Sequence, residues 1–222
     1  APCVALMYED LGQQGNPNRD RSGARESKEE LSGIIVIETD DLLGGGIGDK
    51  FHDAVKQLTS RFKFGKWVEL QEKSCEYGGR TLKQGPDYSI NVSMVRYLRD
   101  RAREIRLDRG RAKEPEADAT EEEITAMRGL MGKINWATRE GMPHGAGDAS
   151  LLSATLPKPK VKHLQEANAA LRRLMKTEAT ITIKPIPRER LKLLAFADAS
   201  LGNAAGGSSQ LAHMICAADE SI

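Results

Sequence analysis

The stretch GIIVIETDDLLGGGIGDKFHDAVKQLTSRFKFGKW, residues 33–67, decides how the first part of the chain is read. Residues 33–39 are β-branched and almost continuously apolar, the composition of a strand buried on both faces. The run ends at Asp40 and Asp41. Two neighbouring carboxylates repel each other and lose hydration when buried, so they require solvent or a positive partner. A divalent cation is one such partner, because hard oxygen ligands suit Mg²⁺ and its substrate phosphates. A β-turn whose Asp side chains bond their own backbone is the plainer reading, and spacing alone leaves both open. Either way the pair is expected at an exposed hairpin tip. After Leu42 and Leu43 comes Gly44-Gly45-Gly46, and residues 49–62 then place Phe51, Val55, Leu58 and Phe62 at helical spacing. The glycine run fails as a phosphate loop. Asp49 stands where a dinucleotide fingerprint needs its third glycine, and Asp49-Lys50 stands where a Walker loop needs Gly-Lys. It reads as a flexible exit from the hairpin into the helix.

Upstream, residues 3–7 read as a short strand, and residues 11–28 as a long polar loop rich in Gly, Asn, Arg and Ser. Downstream, residues 63–70, 75–83 and 88–92 read as three short strands of a meander, with Gly78-Gly79 and Gly85-Pro86 as bends. Residues 94–107 place Val95, Leu98, Ala102 and Ile105 on one face with arginines around the rest, which predicts an amphipathic basic helix. Residues 109–119 form its linker. Thr120 followed by Glu123 is a capping-box pattern, and Ile124, Met127, Met131 and Ile134 predict a helix to about residue 138. Further helices are expected over 148–155 and 161–175. Residues 180–186, 192–197 and 210–217 change to strand periodicity and are expected to form a new sheet.

The net charge of +1 conceals segregation: residues 1–60 carry −5, 61–113 +7, 114–157 −5, 158–192 +7 and 193–222 −3. The arginines at 96, 99, 101, 103, 106, 109 and 111 could neutralise phosphates, although a solvated helix face is the ordinary fate of such a run. Composition excludes a collagen, a coiled coil and a mucin, and no apolar run approaches the ~18 residues of a membrane span, so a soluble protein is expected. Cys3, Cys75 and Cys216 are odd in number and far apart, which argues for free thiols in a reducing compartment rather than disulfides or a zinc site. His52, His144, His163 and His213 have no paired spacing, and no Gly-x-Ser-x-Gly elbow supports hydrolase chemistry. The chain starts at Ala1 with neither a basic leader nor an apolar signal core, the pattern of a processed product or fragment.

Residues 33–67 together resemble the acidic-pair palm hairpin and following helix of reverse transcriptases from copia-type LTR retrotransposons. YGGRTLKQ (77–84) is similar to the Gly-rich β segment that comes next in that family. RGLMGKINWATREGMPHGAGDASLLSATLPKPKVKHLQEANAALRRL (128–174) resembles a later segment, with Arg128, Gly132, Trp136, Pro143, Leu151, His163 and Leu171 as landmarks. LLAFADASLGN (193–203) resembles the opening strand of the attached ribonuclease H domain, with Asp198 in the place of its first metal-binding carboxylate.

The resemblance implies an α+β fold in three parts. Residues 1–92 would be a partial palm carrying the acidic-pair hairpin, 93–178 a helical thumb and connection, and 179–222 the first piece of a ribonuclease H-like sheet. It implies RNA-directed DNA synthesis by two-metal nucleotidyl transfer with Mg²⁺ as cofactor. Asp40 and Asp41 would be catalytic carboxylates, with Asp40 a metal ligand and Asp41 supporting it. Asp198 would bind metal in the ribonuclease H site, and Arg96, Arg99, Arg103 and Arg106 would face nucleic acid. Implied partners are primer-template nucleic acid, dNTP and the rest of the Pol polyprotein, with no membrane. The location would be intracellular: cytoplasm, virus-like particle or nucleus. Departures bear on activity. Glu38-Thr39 replaces the family's Tyr or His, then Val, before the acidic pair, and Met142 replaces the arginine of an Arg-Pro box. The loop over 11–28 exceeds the family's short turn. The family's other polymerase carboxylate lies upstream of Ala1 and its remaining ribonuclease H carboxylates beyond Ile222, so the chain alone is expected to be inactive. The alternative is a noncatalytic nucleic-acid-binding or interaction protein domesticated from a transposon.

Overall fold

A computed structural model describes residues 3–10, 29–202 and 205–221, and the loop expected over 11–28 lies outside them. The fold is α+β and divides into two compact units, residues 1–67 and 68–222.

In the first unit, β1 (Cys3–Asp10), β2 (Glu29–Glu38) and β3 (Asp41–Gly46) form an antiparallel sheet with β2 in the middle. Helix α1 (Gly48–Arg61) covers one face. Its Phe51 ring lies against Gly33 and Gly46, where any Cβ would collide with it. The glycines at 44–46 are therefore sheet residues, paired with 33–35, and not a flexible exit from the hairpin. Small residues there admit an aromatic ring against the backbone. The apolar run of β2 is covered on one face only among the described residues: Ile35 is buried, whereas Ile34 is exposed, as are Val4 and Leu6 on the neighbouring β1. Continuous apolar character thus overstated the burial of this strand.

The second unit begins with a meander, β4 (Cys75–Tyr77), β5 (Arg80–Gln84) and β6 (Ile90–Ser93). Residues 63–70, expected as a strand, form none, and residues 75–83 are two strands folded at Gly78-Gly79. Both glycines have positive φ, 55° and 81°, which a two-residue hairpin turn requires. Four helices follow: α2 (Val95–Arg101), α3 (Glu121–Glu140), α4 (Ala146–Ala154) and α5 (Val161–Thr177). Met94, Leu98, Met127, Leu130, Met131, Ile134, Met142, Leu164 and Leu174 are buried in one core cluster between them. Each such side chain contributes about 1.5–3 kcal/mol on burial. Thr120 caps α3 as its sequence predicts: the Glu123 N–H donates to Thr120 Oγ1 at 3.3 Å, and the Thr120 N–H donates to the Glu123 carboxylate at 2.8 Å.

The basic helix expected over 94–107 stops at Arg101. The chain turns extended at Ala102, and Asn168 on α5 holds it beyond that point. Its Oδ1 accepts from the Ile105 N–H at 2.7 Å and its Nδ2 donates to the Ile105 carbonyl at 2.9 Å, which takes both backbone groups out of helical pairing. β7 (Thr180–Ile183) joins β6 as the fourth strand of the meander sheet, so it does not open a new sheet. β8 (Leu191–Ser200) and β9 (Gln210–Asp219) form a separate antiparallel ribbon. Leu193, Phe196, Leu211 and Ile215 are exposed on it, so both of its faces carry open apolar side chains.

Candidate carboxylate and nucleic-acid sites

Asp40 and Asp41 stand at the tip of the β2–β3 hairpin. Glu38 and Asp41 are paired across it, and Thr39 and Asp40 form the turn, with Thr39 at φ 58°. That left-handed conformation is costly for a β-branched residue. Both aspartates are exposed, so water solvates the two charges and no positive partner is needed to hold them there. As ligands they offer hard carboxylate oxygens, the right donor chemistry for Mg²⁺. In number they fall short of a closed site: among the described residues no three His, Cys, Asp or Glu side chains come together in a way that could hold a metal ion.

Asp198 lies on β8 opposite Ala212, exposed, and its Oδ1 accepts from the Ala199 N–H at 2.9 Å. The carboxylate is thus bonded to its neighbouring backbone. The acid nearest the other end of the ribbon, Asp219, is engaged elsewhere, with the N–H and hydroxyl of Ser221 and with Arg190 at 3.3 Å. The Ser221 bonds hold the Asp219 carboxyl below its usual range, with Arg190 adding to them.

The arginines divide into engaged and free. Arg96 faces Asp100 at 3.4 Å and Glu76 at 3.8 Å, and Arg99 pairs with Glu178 at 3.1 Å. Arg103 donates to the Arg99 and Ala102 carbonyls, closing the end of α2. Arg111 makes a two-pronged contact with Glu123, at 3.0 and 2.9 Å, and also donates to the Asp118 carbonyl. Hydrogen bonding to Glu123 raises the Arg111 pKa, and the same guanidinium lowers that of Glu123. Arg101, Arg106 and Arg109 are exposed and form no ion pair among the described residues. Two basic residues that the sequence did not single out as a pair, Arg101 and Lys133, line an open cleft of about 400 Å³ with Glu76, Gly78, Gly79 and Tyr97. The Gly-Gly turn is the local signal for that cleft. The pairing of Arg101 with a residue on α3 had none.

The acidic pair belongs to the first unit, and Asp198 and the arginines to the second. No protein-family profile matches the chain, and no solved structure matches it. A curated protein of Saccharomyces cerevisiae named "Putative transposon Ty5-1 protein YCL074W" is 26% identical over 178 residues, which cover 76% of this chain and 56% of that protein. The chain therefore spans little more than half the length of that relative, and the similarity points to a transposon origin.

Proposed function

We propose that this chain is part of a copia-type LTR retrotransposon reverse transcriptase, comprising the acidic-pair hairpin of the palm, the helical thumb and connection, and the first strands of a ribonuclease H-like domain. One observation carries the reading: adjacent aspartates sit at a tight turn between antiparallel strands, in a chain similar over 76% of its length to a transposon protein. The reaction of the whole enzyme is template-directed transfer of a nucleotide to a primer 3′-hydroxyl. Mg²⁺, when bound there, supplies Lewis-acid stabilisation of the phosphoryl oxygens. Asp40 and Asp41 bring two hard donors to that centre, and a further donor has to come from outside these residues. Arg101, Arg106 and Arg109 offer charge to primer-template phosphates without first breaking an ion pair.

The first test is a titration of this chain with labelled RNA–DNA and DNA–DNA primer-templates at several salt concentrations. Binding weakens with salt and shows little sequence preference. Arg106→Ala and Arg109→Ala each reduce the salt slope by about one, and Arg99→Ala, whose charge already faces Glu178, reduces it less. The second test is primer extension by a longer protein that contains this segment, with Asp40→Asn as its control. Extension abolished by that change supports the polymerase reading. Binding without any extension supports the domesticated binding protein.

A further inference from the structure

We infer that His163 is a pH-sensitive latch, whose protonation at Nδ1 releases residues 114–119 from the N-terminus of α5. This does not depend on the polymerase reading. The start of α5 is held by an interlocking set of backbone bonds. The Val161 N–H donates to the Ala117 carbonyl and the Lys162 N–H to the Pro115 carbonyl, both at 3.0 Å, while the Ala119 N–H donates to the Pro159 carbonyl at 3.0 Å. Residues 114–119 thus act as a strap that satisfies donors the helix leaves without intrahelical partners. Asp118 and Lys160 form a bridge in the same antiparallel sense. Glu116 fastens the strap from its side chain, with Lys160 and Lys162 each 2.9 Å from its carboxylate.

The remaining donor, the Lys160 N–H, goes to His163 Nδ1 at 3.0 Å. Only an imidazole with Nδ1 unprotonated can accept that bond, so the ring is neutral with its proton on Nε2. A proton taken from solvent at Nδ1 turns the acceptor into a donor pointing at another donor. It also places a positive charge at the positive end of the α5 dipole. The charged groups around the ring are Lys160, Lys162 and Glu166 on α5 and its cap, and Glu116 on the strap. Burial is the largest influence and favours the neutral ring. Glu166 and Glu116 oppose it, and the two lysines support it. The strap is joined to the basic segment before it through Arg111, which donates to the Asp118 carbonyl and pairs with Glu123 on α3. Opening the latch therefore loosens the attachment of the basic segment as well as the cap of α5.

Hydrogen exchange followed by NMR on the full chain tests this, with protection factors taken at about pH 7.5 and about pH 4, the lower value set well below an ordinary imidazole titration because burial depresses this ring. Protection of the Lys160, Val161, Lys162 and Ala119 amides is expected to fall about tenfold on acidification, the worth of one ordinary hydrogen bond. The amide of Ile134 in the α3 core is expected to hold. His163→Asn keeps an acceptor at the same distance from the backbone but does not titrate, so it should hold protection constant across the range. His163→Gln serves as the second non-titrating variant should the first fold poorly. Constant protection in the wild-type chain while the His163 ring is seen to titrate would overturn the latch. An equal loss in the non-titrating variant would overturn it too.

Discussion

Asn168 shows how one side chain holds a distant part of the chain. It sits on the buried face of α5, a position the helical period would assign to an apolar residue, and its amide pairs with both backbone groups of Ile105. Asn168→Ala leaves a buried donor and a buried acceptor unpaired, and a loss of about 2–6 kcal/mol is expected in urea unfolding, from about 1–3 kcal/mol for each orphaned group. The denaturant slope should stay the same if the compactness of both states is preserved. Glu116 makes a second residue-scale prediction. Hydrogen bonds from Lys160, then Lys162, hold its pKa down, from 4.5 to about 2. A carboxylate depressed in the folded state contributes stability that is complete above its unfolded pKa and is lost as pH falls through the folded value. Stability should therefore decline between pH 4.5 and about 2, and Glu116→Gln should flatten that part of the curve. The effect shrinks in high salt because the pair is exposed. His163 has the opposite chemistry, a base depressed by burial, so its share is lost as pH falls from the ordinary imidazole value.

At the scale of elements, the contact of α1 with its sheet depends on what is absent from two residues. Phe51 occupies the space that side chains at Gly33 and Gly46 would fill. Gly33→Ala is expected to destabilise the first unit by about 1–3 kcal/mol, the usual range for overpacking. Gly33→Ala combined with Phe51→Leu should cost less than the two changes added together, and a double-mutant cycle by thermal unfolding measures that coupling. For α3 the expected behaviour follows from its first turn. Thr120→Ala removes the acceptor for the Glu123 N–H and should cost about 1 kcal/mol. The Arg111–Glu123 contact fixes the same turn from outside, so the cap and the end of the basic segment are coupled.

Across the whole molecule, the division into residues 1–67 and 68–222 coincides with a stretch lacking regular structure, where Lys63 and Lys66 are exposed. Limited trypsin digestion is expected to cut at one of these lysines and leave the second unit as a resistant product. Its helical core, with Met127, Ile134, Met142 and Leu164 inaccessible to solvent, resists local opening, whereas the β8–β9 ribbon buries little of its apolar surface and opens more easily.

What the sequence determined by itself is what depends on neighbours a few residues away. The period of α3 and α5, the Thr120–Glu123 capping box and the apolar strands of β8 and β9 were all legible, because periodicity and capping are local. So was the turn at Asp40, since two charges cannot lie inside a paired apolar strand without cost. The tertiary structure alone decided the rest. Helix α2 stops at Arg101, and Ile105 just beyond it is held by Asn168, 63 positions away. Gly46 of β3 packs in the sheet under Phe51, which takes the space a side chain there would fill, and β7 goes to the meander sheet because β6 has an open edge for it. The free and engaged arginines of the basic run look alike in sequence. Their difference is made by Glu76, Glu178 and Glu123, which the fold brings to some of them and not to others.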